Sequence, residues 1–465
     1  MPQEHTLLIK EGTVVTATDE YQADVFVVDE KIHTIGKNLK VDAKQTLDAT
    51  GCYLLPGGID SHTHMELPFM GTFASDTFET GTLAGLHGGT TTIVDFVIQT
   101  KGDTLGSALN QWHEKAGGHA VGDYGFHIAV TDFNEKTKAE IRDLIEKKGV
   151  PSFKAFMAYK GALMVDDQQL FYLMKEITKW GGLLSVHAEN GDVIDVLVKE
   201  SRAKGECSPR YHALTRPPLC EAEASGRIID LAYQAGAPIY IVHMTCEEAL
   251  NRLRWATQRN QKALAETCVQ YLLLDDSVYS KEGFEGAKYV MSPPLRKKKD
   301  QEALWQGINQ NLISAVTTDH CPFMMKQKEM GKEDFSKIPN GAPGIEHRVE
   351  LLYSEGVEKG RITRNKWVEM IATGPAKTFG LFPRKGTIAV GSDADIVLFD
   401  PKKEQTISAK THHMNCDYSA YEGWKVKGKC RTTLLRGTVA VEEGVAKIGK
   451  GFGQYLPRNK FNPTH

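Results

Sequence analysis

Gly57-Gly58-Ile59-Asp60-Ser61-His62-Thr63-His64 follows an apolar run, Cys52 to Pro56, that reads as a strand with a turn signal behind it. Along an extended segment alternate side chains share a face, so Asp60, His62 and His64 point the same way. Two imidazoles on one strand face beside a carboxylate make half of a metal site. A lone His-x-His is a short motif that also arises by chance. Its meaning depends on whether further ligands fall at the ends of later strands.

Downstream, apolar runs alternate with segments of helical periodicity such as Lys138 to Lys147 and Ala222 to Ala235. The candidate strands are Thr92–Val97, Tyr124–Val130, Ser152–Met157, Leu183–His187, Pro238–His243, Ala263–Thr267 and Ile313–Asp319. With the opening strand they make eight, apolar on both faces, as expected of a parallel sheet covered by helices. Eight βα units predict an α/β protein with a (β/α)8 TIM-type barrel over residues 57–385. A doubly wound sheet lacks its Gly-x-Gly-x-x-Gly after an early strand. The nearest glycine cluster, Gly449 to Gly453, follows a β hairpin and reads as a flexible loop.

Both ends of the chain have a β texture. Leu7-Leu8-Ile9, Thr13-Val14-Val15 and Asp24 to Val28 lie at the start; Ala394 to Phe399 and Thr432 to Val439 lie near the finish. Residues 1–56 and 386–465 are therefore expected to form one composite β-sandwich domain, a scaffold without chemistry of its own.

In a barrel of this type, polar residues at C-terminal strand ends converge on one rim. The first strand ends in His62 and His64, the fifth in His187, the sixth in His243 and the eighth in Asp319, while the fourth carries Lys154 among apolar neighbours. One such histidine would be an ordinary core residue; several at one structural level form a ligand cluster. Burial favours the neutral amine of Lys154, which can take up carbon dioxide as a carbamate, an anionic ligand able to bridge two metals. A structural lysine paired with a carboxylate is the competing reading. His127 and His320 are weaker site candidates, and the basic run Arg296 to Lys299 reads as a solvated face.

The 465 residues carry 25% charged and 41% hydrophobic side chains and a net charge of −3. That composition fits a globular protein and leaves no electrostatic footprint for nucleic acid or anionic membrane. No run is long enough to span a bilayer. The opening Met1-Pro2-Gln3-Glu4-His5 lacks a basic region before an apolar core. Eight scattered cysteines without a Cys-x-x-Cys pair read as buried thiols, and the expected location is cytoplasmic.

Asp60-x-His62-x-His64, Lys154, His187, His243 and Asp319 together resemble the amidohydrolase superfamily, in its cyclic-amidohydrolase branch. The stretches His62 to Phe69, Lys154 to Tyr159, His187 to Gly191, Ser292 to Arg296, Thr318 to Pro322 and Asn340 to Gly344 are similar to the dihydropyrimidinase and hydantoinase family. Dihydroorotases place an arginine where this chain has Glu66, allantoinases match Met65 to Phe69 less well, and silent scaffold relatives have lost ligands that are all present here.

The resemblance implies hydrolytic ring opening of cyclic amides, dihydropyrimidines such as dihydrouracil or 5-substituted hydantoins, at a binuclear metal site. It implies two divalent ions, Zn2+ by preference with Mn2+ or Co2+ as substitutes. His62, His64 and Asp319 would hold one ion and His187 and His243 the other, bridged by Lys154 as N6-carboxylysine. It further implies that Tyr159 hydrogen-bonds the substrate carbonyl, that backbone at Ser292 and Asn340 holds the ring amide, and that Asp319 moves the proton. Leu67, Phe69, Phe156 and Leu163 would face the ring substituent. A homotetramer or dimer is implied, with the C-terminal segment reaching a neighbour. An allantoinase-type hydrolase and a silent scaffold are the alternatives.

Overall fold

The computed structural model describes residues 5–464. The chain opens with β1 (Thr6–Val15), β2 (Glu20–Val28), β3 (Lys31–Gly36), β4 (Gln45–Asp48) and β5 (Tyr53–Pro56). One residue later β6 (Gly58–Thr63) enters a second sheet, followed by a small hairpin, β7 (Pro68–Phe69) and β8 (Thr72–Phe73). The second sheet continues with β9 (Thr90–Ile98), β10 (Asp123–Ala129), β11 (Ser152–Phe156), β12 (Leu183–His187), β13 (Ile239–Ile241), β14 (Ala263–Cys268) and β15 (Ile313–Thr317). The chain returns to the first sheet through β16 (Ile396–Thr406), β17 (Lys425–Leu435), β18 (Thr438–Glu442) and β19 (Val445–Ala446).

β6 and β9 to β15 pair in parallel, in chain order, as eight strands. The two ends meet just past β15, where the His64 amide donates to the His320 carbonyl (2.9 Å) and the His320 amide to the His62 carbonyl (3.3 Å). This is the (β/α)8 barrel expected from the sequence. β6, β10, β11 and β12 are buried along their whole length, as expected of a parallel sheet covered on both faces. The helices after them start on side-chain caps where a short polar residue ends the loop: Thr77, Thr104, Asn134, Asp166 and Asn190 each accept a backbone N–H of the first turn. Among the described residues no helix is long and apolar enough to cross a membrane.

The β domain of the two chain ends is one continuous nine-stranded sheet, with β5 from the first half hydrogen-bonded to β16 from the second. Strand alternation gives it two apolar faces. Val14, Leu54, Ile396 and Leu398 pack into the sheet's own core, while Val15, Leu55, Val397 and Phe399 pack into the barrel cluster. A buried ionic knot adds to the join: the Lys385 ammonium donates to Asp123 on β10 and to Asp395, both at 2.7 Å, and Arg436 also donates to Asp123.

Gly449 to Gly453 is not the loose loop expected. The Gly451 and Gly453 amides donate to the Ala120 carbonyl at 3.1 and 3.0 Å. A Cβ at Gly453 would lie 2.0 Å from the Gly122 carbonyl oxygen, so glycine is what allows this close approach. All eight cysteines are free thiols, seven of them buried.

Candidate metal centre

The strand ends bring the six expected ligands to one barrel mouth. His62 Nε2 and His64 Nε2 lie 3.2 and 3.1 Å from the same Asp319 oxygen, Oδ1. Lys154 Nζ lies 3.0 Å from His62 Nε2, and His187 Nδ1 lies 2.9 Å from His243 Nε2. Ligand atoms of His62, His243 and Asp319 fall within 4.8 Å of one another. His243 (φ 40°), Asp319 (φ 52°) and Tyr159 (φ 65°) adopt left-handed backbone that side-chain-bearing residues rarely take. The surrounding packing holds that strain at the point where these side chains turn inward.

Neighbouring groups fix which nitrogen His62 and His187 offer. His62 Nδ1 faces the Glu266 carboxylate, whose second oxygen accepts the Tyr240 hydroxyl at 3.0 Å. His187 Nε2 bonds Glu189 Oε2 at 2.7 Å, and Arg216 reaches the same oxygen at 2.9 Å. A carboxylate on the far nitrogen places the ring proton there and leaves the other lone pair pointing at its neighbours, the usual arrangement of a metal-binding histidine. Burial, reinforced by the Lys154 charge, holds His62 well below the ordinary imidazole value; burial likewise lowers His64, His187 and His243. Neutral imidazoles, two ring nitrogens 2.9 Å apart and a shared carboxylate oxygen form a donor set that suits divalent ions of zinc type.

Lys154 is buried, with its Nζ 4.1 Å from the Phe96 ring centroid and 5.1 Å from that of Phe156. Among the described residues its one hydrogen-bond contact is His62 Nε2, and it makes no ion pair. Burial pulls its pKa down to about 8, against the raising effect of Asp319 and Glu266. Glu189 is held at about 2: burial alone would raise it, but Arg216 and the bond to His187 prevail.

Above these groups lies a cavity of ≈ 60 Å³, lined at its floor by His64, Lys154, His187, His243 and Asp319. Tyr159, Ser292 and Asn340 line it too, as do Leu67, Phe69, Phe156 and Leu163. Burial pushes the Tyr159 hydroxyl up to about 12, so it stays a proton donor. His62 sits beneath the cavity floor, fully buried.

Several residues take other places than the sequence suggested. Asp60 shares the strand face of His62 but turns to Thr318, whose hydroxyl donates to it at 2.6 Å; it steadies the turn before Asp319. His127 bonds Ser152 Oγ (2.6 Å) and the Ser61 carbonyl, and His320 bonds Asp76 (2.9 Å), so both hold the frame and neither reaches the cavity. Arg296 is not solvated: it is buried against Glu221 (2.9 Å), Thr245 and the Arg216 carbonyl, because the helix that carries Glu221 and the loops at Arg216 and Thr245 supply it with acceptors. Glu266, Arg216 and Lys328 were not singled out from the sequence. The one available signal was Glu266 itself, a charge inside an apolar strand; Glu189 stood unremarked two residues after His187.

The profile of the amidohydrolase family matches residues 53–440. The chain is 50% identical to the D-hydantoinase of Geobacillus stearothermophilus over 457 residues, 98% of this chain and 97% of the relative. It is 41% identical to the dihydropyrimidinase of Rattus norvegicus, covering 99% of this chain and 90% of the relative. The crystal structure of the dihydropyrimidinase from Brevibacillus agri superposes with a TM-score of 0.98 at 50% identity, over 98% of this chain and 99% of that one.

Proposed function

The chain belongs to the amidohydrolase family, and from that premise we propose that it opens cyclic amides by hydrolysis, taking dihydropyrimidines such as dihydrouracil or 5-substituted hydantoins to N-carbamoyl amino acids. The observation that carries this reading is the single cavity that joins the ligand cluster to Tyr159, Ser292, Asn340 and an apolar wall. His62, His64 and Asp319 would hold one divalent ion and His187 and His243 the other, with zinc the metal the donors suit best. The Lys154 amine would add to carbon dioxide, losing a proton to give an anionic carbamate that would serve as a further oxygen ligand. Divalent ions bound there supply Lewis acidity and bring the pKa of bound water towards about 7.

The residues do the rest. Backbone at Ser292 and Asn340 holds the ring amide, and Leu67, Phe69, Phe156 and Leu163 receive the ring substituent. Tyr159, kept protonated, donates to the carbonyl oxygen as charge develops on it. Asp319 takes a proton from the attacking water and returns it to the ring nitrogen as the carbon–nitrogen bond breaks. Water oxygen ends on the carbonyl carbon, giving a carboxylate and a free ureido nitrogen.

Where a dihydroorotase would place arginine for the substrate carboxylate, the side chain here is that of Glu66, whose own carboxylate accepts the Phe78 amide (3.2 Å). The D-hydantoinase and dihydropyrimidinase names of the relatives favour this reading over allantoin hydrolysis. Exposed apolar side chains on neighbouring outer helices, Val193, Val196, Leu214 and Leu219, support assembly of a homo-oligomer. The test is elemental analysis of the purified protein with turnover of dihydrouracil, 5-substituted hydantoins, allantoin and dihydroorotate. Metal in the protein and turnover of the first two classes is the expected result. A metal-loaded protein that opens none of them, or allantoin alone, overturns the reading.

A further inference from the structure

Lys328 stands outside the metal centre and has no part in the chemistry above. It is fully buried, yet its ammonium has no carboxylate among its hydrogen-bond partners. Its three acceptors are backbone carbonyls: Val290 at 3.0 Å, Pro339 at 2.7 Å and Gly341 at 2.7 Å. Those carbonyls belong to the two segments that carry Ser292 and Asn340. The Pro339 carbonyl and the Asn340 N–H are two ends of one planar peptide group. A hydrogen-bond donor on the carbonyl end fixes the plane and strengthens the N–H as a donor. That N–H has no acceptor within the chain among the described residues, and Asn340 lines the cavity.

The same ammonium ties this peptide to the neighbouring segment, where the Gly341 amide also donates to Val290 (2.9 Å). On the opposite side the loop is pressed against the backbone that follows β15: a Cβ at Gly341 (φ +147°) would lie 2.2 Å from the Cys321 carbonyl oxygen. Burying an ammonium on carbonyl dipoles alone is costly. Burial lowers Lys328 to about 7, which shows how little local anionic charge offsets it. A neutral apolar side chain would pack there more cheaply if only volume mattered.

We propose that Lys328 is a positioning residue for the ring amide, a buried hydrogen-bond donor that locks the Val290–Ser292 and Pro339–Gly341 segments together so that their backbone groups face the substrate. This rests on the reading of Ser292 and Asn340 as the groups that hold the substrate. The metal-loaded Lys328→Met and Lys328→Gln proteins test it, with KM and kcat measured on dihydrouracil and a 5-substituted hydantoin, beside metal content and melting temperature. The expected result for Lys328→Met is a KM raised about tenfold with kcat within about threefold of wild type and metal content unchanged. Lys328→Gln, which keeps two N–H donors, falls between, and it carries the test if the methionine protein does not fold. Wild-type KM in either folded variant, or a fall in kcat and metal content at constant KM, overturns the assignment while leaving the hydrolase reading intact. Wild-type protein that opens no cyclic amide removes that reading, and the proposal with it.

Discussion

Replacing Glu266 by glutamine probes the metal centre without touching any of its ligands. In the native arrangement the Glu266 carboxylate faces His62 Nδ1 and accepts the Tyr240 hydroxyl on its other oxygen. A glutamine keeps the Tyr240 bond by presenting its amide oxygen there, which turns its NH2 towards His62. Nδ1 must then accept, so the ring proton moves to Nε2 and covers the lone pair that faces Lys154 and Asp319. The ring has no room to turn over, because it is buried against Phe96 (4.7 Å between centroids) and His243 (5.3 Å). Loss of such a supporting carboxylate costs about 10–100-fold in metal affinity, and the trapped ring argues for the upper end, about 2.7 kcal/mol. The assay is titration of chelator-stripped protein with Zn2+ against a chromophoric competitor, with circular dichroism as the check on folding. A folded Glu266→Gln protein whose zinc affinity stays within about twofold of wild type would refute the reasoning.

Other consequences of the site can be measured as directly. Lys154 must be neutral to add carbon dioxide, and its pKa lies at about 8; reconstitution of stripped protein with Zn2+ should therefore need bicarbonate and run faster above that pH than below it. Equal rates at pH 6 and pH 9, or normal metal content in Lys154→Ala, count against the carbamate. Asp319→Ala should lose turnover, and Tyr159→Phe should lower kcat by about a hundredfold while retaining metal; near-native kcat in either removes that residue from its proposed role. Burial raises Glu350 to about 7, above its unfolded value, although it accepts the Cys430 amide. Its contribution to stability is fully present below the unfolded carboxylate pKa and is lost as pH rises through about 7, a change of about 3 kcal/mol. Glu350→Gln should thus gain on wild type in thermal melts at pH 8.5 but not at pH 5; an equal difference at both values sinks the argument.

The barrel strands were legible because most of their residues are buried on both faces, and burial leaves short runs rich in apolar residues. The ligands were legible for a related reason: His187 and Asp319 are polar residues at the ends of such runs, where a barrel concentrates chemistry. Their supports were not. Glu266 meets His62 only because the strands between them curl into a closed barrel, and no local pattern in the sequence encodes that closure. Lys328 sits in one helical turn among ordinary lysines, and only the carbonyls folded around it set it apart. Arg296 misled for the converse reason. It heads a basic run, but the Glu221 that buries it arrives from a distant helix. The Gly449 to Gly453 stretch looked loose because backbone docking leaves no trace in side-chain pattern.

The pairing of β5 with β16 has a consequence for biosynthesis. Tyr53 to Pro56 leave the ribosome early, but their partners Ile396 to Phe399 are made only after the whole barrel. At roughly 5–20 residues per second the nascent chain carries that unpaired edge, with the apolar side chains of Leu54 and Leu55, for tens of seconds. A naked strand edge is an adhesive surface. Truncation anywhere before β16 should therefore yield a product that aggregates, however complete its catalytic half.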